Sequence, residues 1–190
     1  MEARQEQQLV QASRAGDLGS FNSLVEKYQT QAYNVACRTT GDPALAEDAT
    51  QEAFISAFRN ISQFRGENFR AWLLRIVINS CYDILRRRKR EREVSLEVIE
   101  ENPGSTIPSP EESPERYAMR QELARHIQKG LDALPKDQRS VLVLVDVQGL
   151  PYEEAAQALA CNVGTVKSRL SRARAAMRAY LSQHKELLPW

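Results

Sequence analysis

Residues 93–114 (EVSLEVIEENPGSTIPSPEESP) divide the chain, and that division limits what the rest can become. The segment holds Pro103, Pro108, Pro110 and Pro114, six glutamates, no Lys or Arg and no aromatic residue. Proline removes a backbone donor and disfavours helix at the residue before it. The apolar surface present is too small to offset the entropy of ordering. The stretch reads as a flexible acidic linker, and its 22 residues reach about 26 Å as a coil and about 70 Å fully extended. The expected layout is a domain over 1–92, a linker over 93–114 and a second domain over 115–190.

A net charge of +1 conceals an uneven distribution. Residues 1–92 carry 14 basic and 11 acidic side chains, and residues 115–190 carry 12 and eight. Two mildly basic ends flanking an acidic bridge suggest a polyanionic partner. Other classes are disfavoured. Cys37, Cys81 and Cys161 are odd in number and scattered, and only His126 and His184 are present, so neither a disulfide framework nor a metal site is expected. No cofactor is expected either. The longest apolar run, Val141 to Val145, is far too short to cross a bilayer, and no signal-like stretch opens the chain. A cytoplasmic location is the expectation.

The N-terminal part reads as helix throughout. Leu9 and Val10 open a short amphipathic stretch ending near Gly16, and Ser20 can cap the next helix. Phe21, Leu24, Val25, Tyr28, Ala32 and Val35 follow the spacing of one buried face. Pro43 suits the first turn of a third helix running to about Asn60, with Leu45, Ala49, Ala53 and Phe54 inward. Glu47, Asp48, Gln51 and Glu52 lie on its other face. Ser62 to Asn68 is a loop, and a long helix covers about Phe69 to Arg92. Six of the seven residues Arg86 to Arg92 are basic. A helix dipole favours one or two cations at a C-terminus. It does not explain six, because like charges on adjacent turns repel. A phosphate backbone would relieve that repulsion. Phe64, Phe69 and Trp72 beside this track could stack on unpaired bases, although aromatics at the helical spacing of Phe69 and Trp72 more often belong to a core.

After the linker, Glu115 to Leu134 forms a helix stopped by Pro135. Gln138 to Val147, with its VLVLV run, has no second strand to pair with and reads as a buried helix. A short helix from Pro151 to about Ala160, a turn at Cys161 to Val163 and a helix from about Gly164 to Ser182 have the spacing of a helix-turn-helix. Val166, Leu170, Ala173 and Met177 form the dry side of that last helix. Lys167, Ser168, Arg169, Ser171, Arg172, Arg174 and Arg178 form the other. No acidic residue occurs between Glu154 and Glu186. Such a surface suits the major groove, where Arg can bridge two acceptors of guanine. The fold class is all-α.

Two other functional classes fit the residues less well. An autonomous DNA-binding regulator leaves the basic run at Arg86 to Arg90 without a task. An enzyme is disfavoured because no phosphate-binding loop, HExxH or catalytic His or Cys arrangement occurs. No catalytic residues are expected.

LDALPKDQRSVLVLVDVQGLPYEEAAQALACNVGTVKSRLSRARAAMRAYL resembles region 4 of a bacterial extracytoplasmic-function (ECF) sigma factor of the sigma-70 family. AEDATQEAFISAFRNISQFRGENFRAWLLRIVINSCYDILRRRKR resembles region 2. The resemblance implies a promoter-specificity subunit of RNA polymerase. Glu47, Asp48, Gln51, Glu52 and Phe54 would dock on the clamp helices of the β′ subunit, and the second domain would meet the β flap. Phe64, Arg65, Asn68, Phe69, Trp72, Arg75 and Asn79 would read and melt the −10 element of promoter DNA. Arg86, Arg87, Arg88 and Arg90 would hold its backbone. Lys167, Ser168, Ser171 and Arg172 would read the −35 element, with Thr165, Arg169 and Arg174 nearer the phosphates. An anti-sigma factor is the implied regulator. Asn162 stands in a turn where many members carry proline, which implies a less rigid turn.

Overall fold

Capping residues set most of the helix boundaries in the computed structural model, which describes residues 2–66, 68–94 and 114–183. The linker reading falls mainly on residues 95–113, outside the described residues. Helix α1 spans Glu2–Arg14 and α2 spans Leu18–Thr40. Helix α1 starts well before Leu9. Its Glu6 pairs with Lys27 and accepts from Tyr28, tying the early turns of α1 to α2. Asp17, not Ser20, caps α2: its carboxylate accepts from Gly19 N (3.3 Å) and Ser20 N (3.0 Å). A carboxylate oxygen at this position satisfies two N–H groups that have no partner inside the helix. Gly41 closes α2 with φ +73°, and its N–H donates to Cys37 O. That left-handed geometry favours glycine.

Helix α3, Pro43–Asn60, follows at once. Its cap is Asp42, which accepts from Ala44 N (2.9 Å) and Leu45 N (3.2 Å). Arg88 also donates to Asp42 at 2.6 Å. Burial pushes this carboxyl up, but the Arg88 guanidinium and the two backbone N–H groups outweigh it and hold it below its usual 3.8. Because the shift is downward, the stability it contributes is present above about pH 4 and lost as acidity rises further. The inward face of α3 is a stripe of small residues, Ala46, Ala49, Ala53 and Ala57, all fully buried. Such a stripe lets α2 and α4 approach closely. Leu45 and Phe54, expected inward, lie part-buried at the edges.

A short 3-10 turn, Ile61–Gln63, leads to α4, Phe69–Val94. Glu93 and Val94 still belong to α4, and the next described helices are α5, Pro114–Ala133, and α6, Lys136–Leu142, which continues as a π-helical turn over Val143–Val147. The VLVLV run is thus helical, as its lack of a strand partner required. Val141, Leu142, Val143 and Leu144 are all buried. A helical run apolar on every side must be surrounded: this one has α8 on one side and α2 of the first module on another. Gly130 of α5 is close to α8; a Cβ there would meet Met177 and Tyr180 at 3.0 Å.

Helix α7, Tyr152–Ala158, and α8, Val163–Ser182, form the helix-turn-helix. Asn162 makes the turn firm rather than loose. Its Oδ1 accepts from Thr165 N (2.7 Å) and Thr165 Oγ1 (3.0 Å). Asn162→Ala is expected to destabilise the second module by about 1 kcal/mol, measured in a urea melt. An unchanged midpoint would contradict the capping role. Among the described residues there is no strand, and no helix is long and apolar enough to cross a membrane.

Candidate nucleic-acid interface

Helix α8 presents Lys167, Ser168, Ser171 and Arg172 outward, all exposed. Val166, Leu170 and Ala173 on its opposite side are buried. The amphipathic split read from the sequence is therefore the split in the fold. The other assigned residues of this helix are already engaged within the chain. Thr165 is held by the Asn162 cap. Arg169 pairs with Asp137 at 2.7 Å, at the start of α6. Arg174 forms a two-armed pair with Asp146, from Nε at 2.9 Å and Nη2 at 2.6 Å. Hydrogen bonding to Asp146 raises the Arg174 guanidinium above its ordinary value. The pairs with Asp137 and Asp146 anchor α8 to both ends of the α6 segment. Surface pairs of this kind are weak, so a phosphate can compete for either guanidinium.

The aromatic cluster next to α4 divides more sharply. Phe69 is 1% exposed and Phe64 7% exposed. Their rings meet edge-on at 5.9 Å, and Phe69 also touches Tyr28 at 5.8 Å. Both are core residues under the loop, with no open face for a base to stack on. This corrects the expectation for these two rings: the same helical spacing serves packing. Trp72 rests on both of them, 5.0 Å from Phe64 and 5.6 Å from Phe69, and keeps part of its surface open. Asn68 spends its side-chain oxygen on the α4 start, accepting from Ala71 N at 2.9 Å. Arg65, Arg75 and Asn79 are exposed. Trp72, Arg75 and Asn79 recur at helical spacing along one face of α4, and Arg86 and Arg90 extend that face by about three further turns.

The basic run is less isolated than its sequence suggests. Arg86 pairs with Asp83 (3.0 Å), Arg88 with Asp42 (2.6 Å), and Arg87 reaches both carboxylate oxygens of Glu52 on α3 (2.9 and 2.7 Å). Part of the like-charge repulsion is thus relieved inside the chain, by acids up to 46 residues away. Arg87 and Glu52, expected on two different surfaces, hold each other.

On α3, Glu47, Asp48, Gln51 and Glu52 form an exposed polar face. Phe54 is not on it; it wedges between the two buried clusters of the core. The apolar residue that does stand among the acids is Ile55, 52% exposed. It falls three and four residues after Glu52 and Gln51, and that offset could have revealed it. A second apolar surface is a groove between α5, α6 and α8, lined by Ile127, Leu131, Leu142, Met177 and Leu181.

An outward basic helix in a helix-turn-helix, beside a second basic helix with an aromatic at its head, defines a two-module nucleic-acid-binding protein. Residues 24–91 match the family model "Sigma-70 region 2", and residues 125–177 match "Sigma-70, region 4". The chain is 40% identical to the RNA polymerase sigma-H factor of Pseudomonas aeruginosa, over 91% of this chain and 92% of that protein. It is 37% identical to the ECF RNA polymerase sigma-E factor of Escherichia coli K12, over 90% and 92%. Two solved structures resemble it at a TM-score of 0.69. One is the sigma factor RpoE with the anti-sigma factor NepR from Bartonella quintana (29% identity, 87% of this chain and 98% of that one). The other is CnrH with the cytosolic domain of CnrY (28% identity, 94% and 98%). The chain belongs to the sigma-70 family of RNA polymerase sigma factors, in its ECF group, and is a transcription initiation factor.

Proposed function

We propose that the protein seats on core RNA polymerase in the cytoplasm, without a catalytic step of its own, and directs it to promoters carrying −10 and −35 elements. The modules are 1–92 and 115–190, joined by 93–114. The observation that carries this reading is the pairing of two separate DNA-suited faces on one chain. The α8 face, Lys167, Ser168, Ser171 and Arg172, suits direct readout in a major groove. The α4 face, Trp72, Arg75 and Asn79 with Arg65 nearby, suits an unpaired strand, since a partly open indole can stack on any base. Extruding a base costs a few kcal/mol, which stacking and edge hydrogen bonds offset. Arg86 and Arg90 track the backbone beyond it.

The acidic face of α3 with Ile55 at its centre is the surface for the β′ clamp helices: an apolar anchor ringed by charge is a common interface pattern. The groove between α5, α6 and α8 is the seat for the β flap. An anti-sigma factor controls the protein; likeness to a sigma factor solved with such a partner supports this, because it covers 87% of this chain and so reaches both modules. Replacing Asp48 and Gln51 with alanine is expected to reduce capture of core polymerase about tenfold in a pull-down, with the thermal melt unchanged. Replacing Ile55 should do the same. Undiminished capture by all these variants would place the docking surface elsewhere.

A further inference from the structure

A cavity of about 600 Å³ opens between α1 and the loop that precedes α4. Trp72, Arg75 and Asn79 do not line it, so it is separate from the α4 face. Its volume is that of a small-ligand site, about 300–1,000 Å³. One wall is a stripe of α1. Arg4, Gln7, Gln11 and Arg14 recur every three or four residues and therefore share one side of the helix. The other side of α1 is fixed to the bundle by Val10 and Ser13, both buried, and α1 also packs against the 3-10 turn that carries the loop. The second wall is the loop itself, through the edge of Phe64 and Gly66. The Gly66 backbone lies against the Phe64 ring, where a Cβ would stand 3.0 Å away. Glycine lets the loop sit this close and leaves no side chain there to close the mouth.

The chemistry of the stripe is one-sided. It consists of guanidinium and amide groups, whereas an ordinary solvated helix face mixes carboxylates among its cations. The acid in the wall, Glu6, is already held by Lys27 and Tyr28 of α2. Arg14 is half-buried, and its Nε is buried without a hydrogen bond. A buried donor lacking an acceptor is costly, so the site is short of an acceptor that a ligand can bring. Arg14 Nη1 donates to Gln11 Oε1 (3.3 Å), which orients the guanidinium and leaves Gln11 Nε2 to donate elsewhere. Amides and guanidinia are the groups that make paired hydrogen bonds to the edges of adenine and guanine. The position also fits a nucleic-acid strand. Arg65, exposed, lies between the two loop residues of the wall, and the Phe64 ring is 5.0 Å from that of Trp72. Successive stacked nucleotides are about 3.4 Å apart, and further when unstacked. A strand with one base on Trp72 therefore brings its next nucleotide to the cavity.

We propose that this cavity is a second base subsite: it takes a purine of the unpaired promoter strand, next to the base on Trp72, and α1 supplies the reading groups. Gln7, Gln11 and Arg14 meet the base edge, and Arg4 and Arg65 meet the flanking phosphates. The proposal rests on the sigma-factor reading and gives α1 a task in choosing promoters. A base entering the cavity leaves the stack, which costs a few kcal/mol that the edge contacts offset.

The test uses the full-length chain assembled with core polymerase. The probe is forked promoter DNA whose non-template strand is unpaired from the −10 element onward, followed by fluorescence anisotropy. Each unpaired base is replaced in turn by an abasic residue. Two neighbouring positions should each lose about fivefold or more in affinity, one for Trp72 and one for the cavity. At the cavity position a pyrimidine should bind about fivefold more weakly than a purine. Gln7→Ala with Gln11→Ala changes exposed side chains to a better helix former, so helical content should hold. This variant should bind the intact fork about fivefold to thirtyfold more weakly and lose the abasic penalty at the cavity position alone. Trp72→Ala should lose it at the other position alone. A single sensitive position, a purine and a pyrimidine bound alike, or an α1 variant that keeps both penalties would overturn the subsite. So would free adenosine monophosphate that binds the wild type as tightly as the strand does, since the cavity would then serve a soluble nucleotide. If the holoenzyme starts transcription at no promoter, the sigma-factor reading falls instead. Anisotropy of a short single-stranded oligonucleotide on the chain alone, with the same variants, would still decide the cavity.

Discussion

Phe69→Ala is expected to unfold much of the first module rather than merely weaken its contact with DNA. The ring is 1% exposed and packed against Tyr28, Phe64 and Trp72. Truncating a buried aromatic to alanine costs about 3–5 kcal/mol through lost burial and the cavity left behind. A small domain has about 5–15 kcal/mol in all. The melting temperature of the first module should fall by roughly 15–30 °C, followed by far-ultraviolet circular dichroism. Trp72→Ala supplies the contrast. That side chain is only part-buried, so its loss should lower promoter opening more than stability. A Phe69→Ala protein that melts normally yet fails to open promoters would return Phe69 to the DNA-contacting set.

Arg172→Ala should reduce transcription from −35-dependent promoters by roughly 5-fold to 150-fold, the worth of one bidentate base contact at about 1–3 kcal/mol. Arg172 is exposed on the outer side of α8, one turn beyond Ser168. Its neighbours Arg169 and Arg174 are tied to Asp137 and Asp146. Replacing either should give a smaller loss that is similar across sequences, as expected for phosphate contacts. Specificity gives the sharper readout. The Arg172 variant should become indifferent to the identity of one −35 base pair while still binding core polymerase. Equal loss on promoters that lack a −35 element would contradict the assignment.

Local signals explain why so much of the architecture was legible. Pro43, Gly41 and Gly149 punctuate the chain where helices begin or end. The dry stripe Val166, Leu170 and Ala173 has the period of one helix face, and that face is buried. Asp17 and Ser20 are both good capping residues three positions apart, and the choice of Asp17 depends on where the backbone turns at Gly16. The early start of α1 was missed because its first turns are polar. They are held by Glu6 against Lys27 and Tyr28, partners more than 20 residues away.

Periodicity, caps and charge blocks act over a few residues, so the linear order of residues was enough to specify the helices, the helix-turn-helix and the two basic faces. The folded chain alone decided that two of three neighbouring aromatics, Phe64 and Phe69, lie buried while Trp72 stays partly open. It alone decided which arginines face solvent unpaired and which are held by acids 28, 35 or 46 residues away. It also decided that the second module completes the end of α2. Those outcomes depend on contacts between helices distant in sequence, where burial and pairing are set by the three-dimensional neighbour and not by the adjacent residue.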